Sequence, residues 1–475
     1  MQTTPPRLDA RTARLLPWIV AIAFFMQTLD GTILNTALPS MAADLAEDPL
    51  RMQSVVIAYM LTVALLIPAS GWLADRFGTR HIFFGAILLF SLGSLLCAVS
   101  QSLNMLVLAR IIQGLGGALM MPVGRLVVLR AYPRSELVRI MSFITLPGLL
   151  GPLIGPTLGG WLVEYTSWHW IFLLNLPVGA LGCWAALRFM PDLRGPGHSR
   201  FDLAGFLLFG AAMLLITLSL EGLGELHLPH VRVMLLLLGG LACLAAYWLR
   251  AGRTANALFP PSLFHTRSFA VGILGNIFAR LGSGALPFLT PLLLQLGLGY
   301  SPAQAGMSMI PLALAAMAMK PLAKPLIDRL GYRRILTSNT LLLGLLIASM
   351  ALVDGQTSHV QLAIQLSLIG AINSLQFTAM NTVTLIDLHD SDASSGNGLL
   401  SVVVQLSMSM GIAAAAALLG GFSLDNQDAA DGVLGAFQAT YLCVGLLSML
   451  AAAIFLQLSR ESGRSARHVK VEVDD

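Results

Sequence analysis

Charge is what this chain has least of. Only 11% of its 475 residues are Asp, Glu, Lys or Arg, less than half the share of a soluble domain. So little charge cannot cover a water-facing surface of this size, and a soluble globular protein is excluded. The remainder is 56% hydrophobic, with a mean hydropathy of +0.77. Cysteine is also scarce. Cys97, Cys183, Cys243 and Cys443 are scattered through apolar runs, at spacings that suit neither a metal site nor a disulfide framework, and read as packing residues. His227 and His230 are too weak a pair to add a metal site. Phosphate-loop spacing (GxxxxGK followed by Ser or Thr), HExxH and GxSxG are all missing, so neither ATP hydrolysis nor enzyme catalysis is expected. The net charge of +4 is spread over loops, which argues against a nucleic-acid partner. The first apolar run, Pro17 to Leu38, is too long for a cleavable signal and reads as a first span.

What the chain does have is long apolar runs. A membrane-crossing helix needs about 20 mostly apolar residues, and fourteen such runs lie between 17–38 and 434–457. In lipid a helix satisfies its backbone groups within its own segment, so the expected fold class is an all-α polytopic membrane protein with 14 transmembrane helices. Turn chemistry punctuates the runs, as at PDLRGPGHSR (191–200) and DNQDAADG (425–432). With an even count both termini share a side. Placing them in the cytoplasm puts Arg7, Arg76, Arg130, Arg200, Arg253, Arg333, Arg460, Arg464, Arg467 and Lys470 inside, with most other basic residues. Outside fall Asp44, Glu47, Asp48, Glu221, Glu225, Asp425, Asp428 and Asp431. That is the positive-inside pattern.

One loop occurs twice. GWLADRFGTR (Gly71–Arg80) follows span 2, and PLIDRLGYRR (Pro325–Arg334) follows span 10. Asp75, Arg76, Gly78 and Arg80 match Asp328, Arg329, Gly331 and Arg333 in spacing. The expected organisation is a six-helix bundle (1–190), two inserted helices with linkers (191–267), and a second six-helix bundle with a short cytoplasmic tail (268–475). Duplicated halves around a midplane site are a transporter architecture. The loop residues, with Gly71, are read as conformational gates: glycine for close approach, and Asp and Arg to pair with the neighbouring half and part when it rocks.

These motifs resemble those of the major facilitator superfamily, in its fourteen-helix drug:proton antiporter type. GWLADRFGTR is similar to the superfamily's loop signature and LDGTILNTALP (Leu29–Pro39) to the first-helix signature of that group. LVLARIIQGLGGA (Leu106–Ala118) resembles the span-4 signature, GPLIGPTLGG (Gly151–Gly160) the span-5 antiporter signature, and SWHWIFLLNLPVG (Ser167–Gly179) a common start of span 6. The resemblance covers nearly the whole chain with its motifs in order. It implies a bacterial inner-membrane, multi-pass exporter driven by the proton gradient without a cofactor. The expected partners are the lipid bilayer, a small-molecule substrate and protons, and the expected state is a monomer. In related antiporters the positions matching Asp30 and Arg110 are linked to proton coupling.

The residues support that reading on their own chemistry. Asp30, Arg110 and Arg280 are the deep charges, whereas Arg125, Lys320 and Glu164 lie near span ends and can snorkel. At 1.5 Å per residue, Asp30 and Arg110 lie about 12 Å and about 9 Å from the outer ends of their spans, close enough in depth to meet. Burial favours a neutral carboxyl and a neighbouring guanidinium favours a charged one. A change of distance or hydration could therefore load and release a proton. A static buried ion pair is the competing reading.

Polar stripes mark candidate cavity residues at helical spacing: Gln113 beside Arg110; Asn276, Arg280 and Ser283 on span 9; Gln361, Gln365 and Gln376 on span 12; Gln405 on span 13; and Asn35 on span 1. Hydrogen bonding between helices would produce the same stripes. Gly151, Gly155 and Gly159, with Pro156, suit a pivot or seal in span 5. The expected function is a proton-coupled antiporter exporting small amphiphilic molecules by alternating access. The alternative is dedicated export of an anionic metabolite or a metal chelate, such as an organic acid or an iron–citrate or siderophore-like complex. Two deep arginines against one deep acid favour cargo that is not cationic.

Overall fold

A computed structural model describes residues 9–195, 201–224, 230–254, 257–389, 392–425 and 432–459. Among the described residues there is no strand. Fourteen helices of the described residues are long and apolar enough to cross a membrane. In chain order they are α1 (Arg11–Thr36), α2 (Pro49–Phe77), α3 (Thr79–Ala98), α4 (Leu103–Ala131), α5 (Arg139–Tyr165), α6 (His169–Phe189) and α7 (Leu203–Gly222). There follow α8 (Val231–Ala251), α9 (Arg267–Gly297), α10 (Pro302–Leu330), α11 (Tyr332–Leu352), α12 (His359–Leu385), α13 (Ala393–Ser423) and α14 (Gly432–Phe455). Of the residues behind the charge asymmetry, Arg7, Arg200, Glu225, Asp428, Asp431, Arg460, Arg464, Arg467 and Lys470 lie outside the described set, as does His227.

Short polar residues start several helices. Asp9 accepts from Thr12 N at the head of α1, Ser102 from Met105 N at α4, and Ser358 from Gln361 N at α12. Each satisfies a donor that the first turn leaves unpaired. Both copies of the repeated loop turn on a glycine in the same conformation: Gly78 at φ 91° and Gly331 at φ 80°, a region that side chains with a Cβ avoid.

The chain divides into two compact units, Met1–Phe201 with Ser301–Met307, and Asp202–Tyr300 with Ser308–Asp475. In the first, small residues bring backbones together. Gly93 lies against the backbone of Gln113 and Gly116 against that of Ala86 and Phe90, locking α3 onto α4. In the second, α9 packs on α13, α10 on α12 and α11 on α14. Its core includes Leu336, Leu375, Met380 and Phe455.

The inserted helices α7 and α8 pack on each other, and α7 also packs on α13, within the second unit. Arg250 bonds Asp202 at 2.8 Å. Tyr247 Oη accepts from Phe259 N at 2.8 Å and donates to Phe259 O at 3.1 Å. Burial disfavours the Asp202 carboxylate, but Arg250 and the backbone donors of Gly205 and Leu258 outweigh it and hold the group below its ordinary range.

Candidate functional site

Asp30 is on the buried side of α1, and α4 presents Arg110 and Gln113 to it from one helical face. Arg110 Nη1 donates to Asp30 Oδ2 at 2.7 Å, with both side chains 1% exposed. Gln113 Nε2 donates to Asp30 Oδ1 at 2.8 Å, while Gln113 Oε1 accepts from Arg110 Nη1 at 2.6 Å. The guanidinium also donates to the carbonyl of Val55 at 3.3 Å and lies 4.2 Å from the ring centroid of Tyr59, both on α2. That stacking is a cation–π contact.

Within α6 the hydrogen-bond pattern lapses at Leu174, whose dihedrals stay helical. The next residue, Asn175, donates from Nδ2 to Asp30 Oδ1 at 3.1 Å. Ser94 on α3 accepts from Gln113 Nε2 at 2.7 Å and from Asn175 Nδ2 at 3.1 Å. Five helices thus converge on one carboxylate, which accepts three hydrogen bonds. Isolated in this interior, either charge would cost several kcal/mol, and removing one partner of such a pair strands the other at about 3–5 kcal/mol.

The deep arginine of the second unit is surrounded differently. Arg280 Nε donates to Asn276 Oδ1 at 2.8 Å and Nη2 to Asn381 Oδ1 at 3.1 Å. Its guanidinium stands 4.3 Å from the Phe377 ring centroid. Among the described residues no carboxylate pairs with it. Ser283, one α9 turn away, is half-buried, as is Gln405 on α13.

The α12 stripe is divided. Gln376 donates to Thr340 at 2.6 Å and accepts from Asn339 at 3.0 Å, and Gln365 donates to Ser349 at 2.8 Å. Both amides therefore join α12 to α11. Gln361 is exposed at the start of α12. Asn35 is buried at the end of α1, and its Oδ1 has no donor among the described residues.

The first repeated loop is braced from inside its own unit. Asp75 pairs with Arg130 at the end of α4. Arg80 Nε donates to Met190 O at 2.6 Å, and Thr79 Oγ1 to Pro191 O at 3.0 Å. Arg76 lies over Trp72 and Phe77. The physical reason is reach: α4 and the chain leaving α6 end beside the loop. On α5, Gly151, Gly155 and Gly159 lie against Thr28, Thr32 and Ile33 of α1. Thr32 donates to Gly151 O at 3.2 Å and Thr36 to Pro156 O at 3.1 Å.

The sequence matches the family model described as Major Facilitator Superfamily over residues 20–412, with an overlapping match over 272–472. This chain belongs to the major facilitator superfamily. It is 51% identical over 449 residues to a protein of Pectobacterium carotovorum subsp. carotovorum strain PC1 that carries the name multidrug resistance protein MdtD, covering 94% of this chain and 96% of that one. A protein of the same name from Yersinia enterocolitica is 50% identical over 448 residues, covering 94% and 95%. Among solved structures, a POT family transporter in complex with 5-aminolevulinic acid superposes with a TM-score of 0.70 at 16% identity, covering 95% of this chain and 96% of that one. A mutant of the nucleoside transporter NupG gives 0.67 at 13% identity, covering 94% and 100%. At such identities the likeness is one of fold.

This superfamily member is a membrane transporter, not an enzyme. Its site includes three residues that sequence reasoning passed over: Tyr59, Ser94 and Asn175. Asn175 alone left a signal, as an amide inside the apolar span-6 motif.

Proposed function

We propose that this chain is a proton-coupled antiporter that exports small amphiphilic molecules by alternating access, without a cofactor. The reading places it in a bacterial inner membrane as a monomer with both termini cytoplasmic. Its main support is the Asp30–Arg110 pair, 2.7 Å apart and almost wholly buried. A proton-coupling carboxyl must change its surroundings during the cycle, and a modest movement of α1 against α4 would part Asp30 from the guanidinium of Arg110. The names of the relatives support a drug-export reading of the cargo.

The test is transport of a fluorescent amphiphilic dye into inverted vesicles under an imposed pH gradient. Asp30→Asn keeps the shape and removes the titratable group. Gradient-driven accumulation is expected to fall at least tenfold while dye exchange without a gradient persists. Undiminished gradient-driven accumulation in Asp30→Asn would move the coupling elsewhere.

Arg280 favours a second reading of the cargo. Among the described residues this buried guanidinium is held only by amides and an aromatic face, which leaves capacity for an anion. An anionic metabolite or a chelate of an organic acid fits that chemistry better than a cationic drug.

A further inference from the structure

A carboxylate that takes up a proton turns one of its acceptor oxygens into a donor. Around Asp30 every partner donates: Arg110 to Oδ2 at 2.7 Å, and Gln113 and Asn175 to Oδ1 at 2.8 and 3.1 Å. As arranged, none of these three partners offers an acceptor to a new O–H on Asp30, and a buried unpaired donor is costly. Arg110 cannot supply one, because a guanidinium only donates. Gln113 is held from its other end. Its Oε1 accepts from Arg110 Nη1 at 2.6 Å and from the Cys97 thiol at 3.8 Å, so turning it over would push its NH2 against the guanidinium.

Asn175 has no tie to Arg110. A half-turn about its Cβ–Cγ bond exchanges Nδ2 for Oδ1 and presents a carbonyl to Asp30. Ser94 makes the exchange possible. Its hydroxyl accepts from both amides and can instead donate to a turned Asn175 while still accepting from Gln113. The other titratable or charged groups facing Asp30 are Arg110 of α4, Tyr59 of α2 and Cys97 of α3. The Tyr59 hydroxyl makes no hydrogen bond to Asp30 in this arrangement, and if it were the acceptor instead, replacing Asn175 would leave the carboxyl band unchanged. α5 meets α1 through glycines and threonines.

We propose that Asn175 is the positioning residue for proton uptake at Asp30: its amide donates to the ionised carboxylate and, turned over, accepts from the protonated carboxyl. The proton comes from water, lands on Asp30 Oδ1 and leaves by the reverse turn. The inference rests on the reading of Asp30 as the coupling group.

Acid-induced infrared difference spectroscopy on the purified full-length protein in detergent tests it with the proton itself as probe. The unmodified protein should gain a carboxyl C=O band that Asp30→Asn lacks, together with a change in an amide side-chain band. Asn175→Leu, close in shape but unable to accept, should shift the carboxyl band to higher frequency and lose the amide change. Asn175→Ala is the second variant, should leucine fail to fold, and predicts the same shift. Asn175→Gln keeps an amide and should return the band toward its original position. A carboxyl band at unchanged frequency in the folded leucine or alanine variant overturns the role of Asn175 and leaves Asp30 coupling intact. If the unmodified protein shows no Asp30 band at any pH at which it stays folded, both the coupling reading and this inference fail.

Discussion

At the scale of single residues, the two buried arginines separate by what surrounds them. Arg110 has a carboxylate at 2.7 Å, whereas Arg280 has two asparagine oxygens and the face of Phe377. A permanent charge without a counter-ion in a membrane interior is costly, and a bound anion would offset that cost. Arg280→Gln is therefore expected to weaken anionic cargo by about 30- to 150-fold, the equivalent of about 2–3 kcal/mol for a lost charge-assisted hydrogen bond. Arg280→Lys should recover only part, since an ammonium offers no planar fork. Uptake of labelled citrate and of a neutral dye into inverted vesicles, compared across the three proteins, reads this directly. Normal citrate uptake by Arg280→Gln, or no citrate uptake by the unmodified protein, would make the residue structural.

At the scale of elements, the contact between α1 and α5 depends on the absence of side chains. A Cβ on Gly159 would collide with the carbonyl oxygen of Ile33, which belongs to the α1 backbone and cannot turn aside. At Gly148, further along the same helix, the nearest atoms stand 3.9 and 4.0 Å away. Gly→Ala inside a helix gains up to about 1 kcal/mol of propensity when nothing obstructs it, and overpacking costs about 1–3 kcal/mol. Gly148→Ala should therefore leave the thermal midpoint in detergent unchanged or raised, and Gly159→Ala should lower it. Equal midpoints for the two would show that α5 sits looser on α1 than this geometry states.

At the scale of the whole molecule, the charge asymmetry of the loops becomes a labelling pattern. Single cysteines in a cysteine-free background at Asp48, Gly195 and Arg253 report three different loops. With both termini cytoplasmic, a cysteine at position 48 should react with an impermeant thiol reagent on intact spheroplasts. Those at 195 and 253 should react only after permeabilisation. The reverse pattern would place the termini outside.

Fourteen apolar runs, separated by turn residues, were enough to mark the helices, because a continuous apolar run of about 20 residues in lipid pairs its backbone groups within its own segment as a helix, whereas barrel strands are about half as long. The repeat marks the two loop glycines in the sequence as points of close approach, whereas the structure shows that both are there for a positive φ. The pairing of Asp30 with Arg110 was readable as well, since few deep charges exist and depth follows from residue count. What sequence could not supply was direction around each helix axis. A polar stripe looks the same whether it faces cargo or a neighbouring helix, and Gln365 and Gln376 prove to be joined to α11. Asp75 had several basic residues within plausible reach, and only folding selected Arg130. Tyr59, Ser94 and Asn175 come from three different helices and are isolated polar positions in apolar runs. Only tertiary packing, by fixing the rotation of α2, α3 and α6, brings them around one carboxylate.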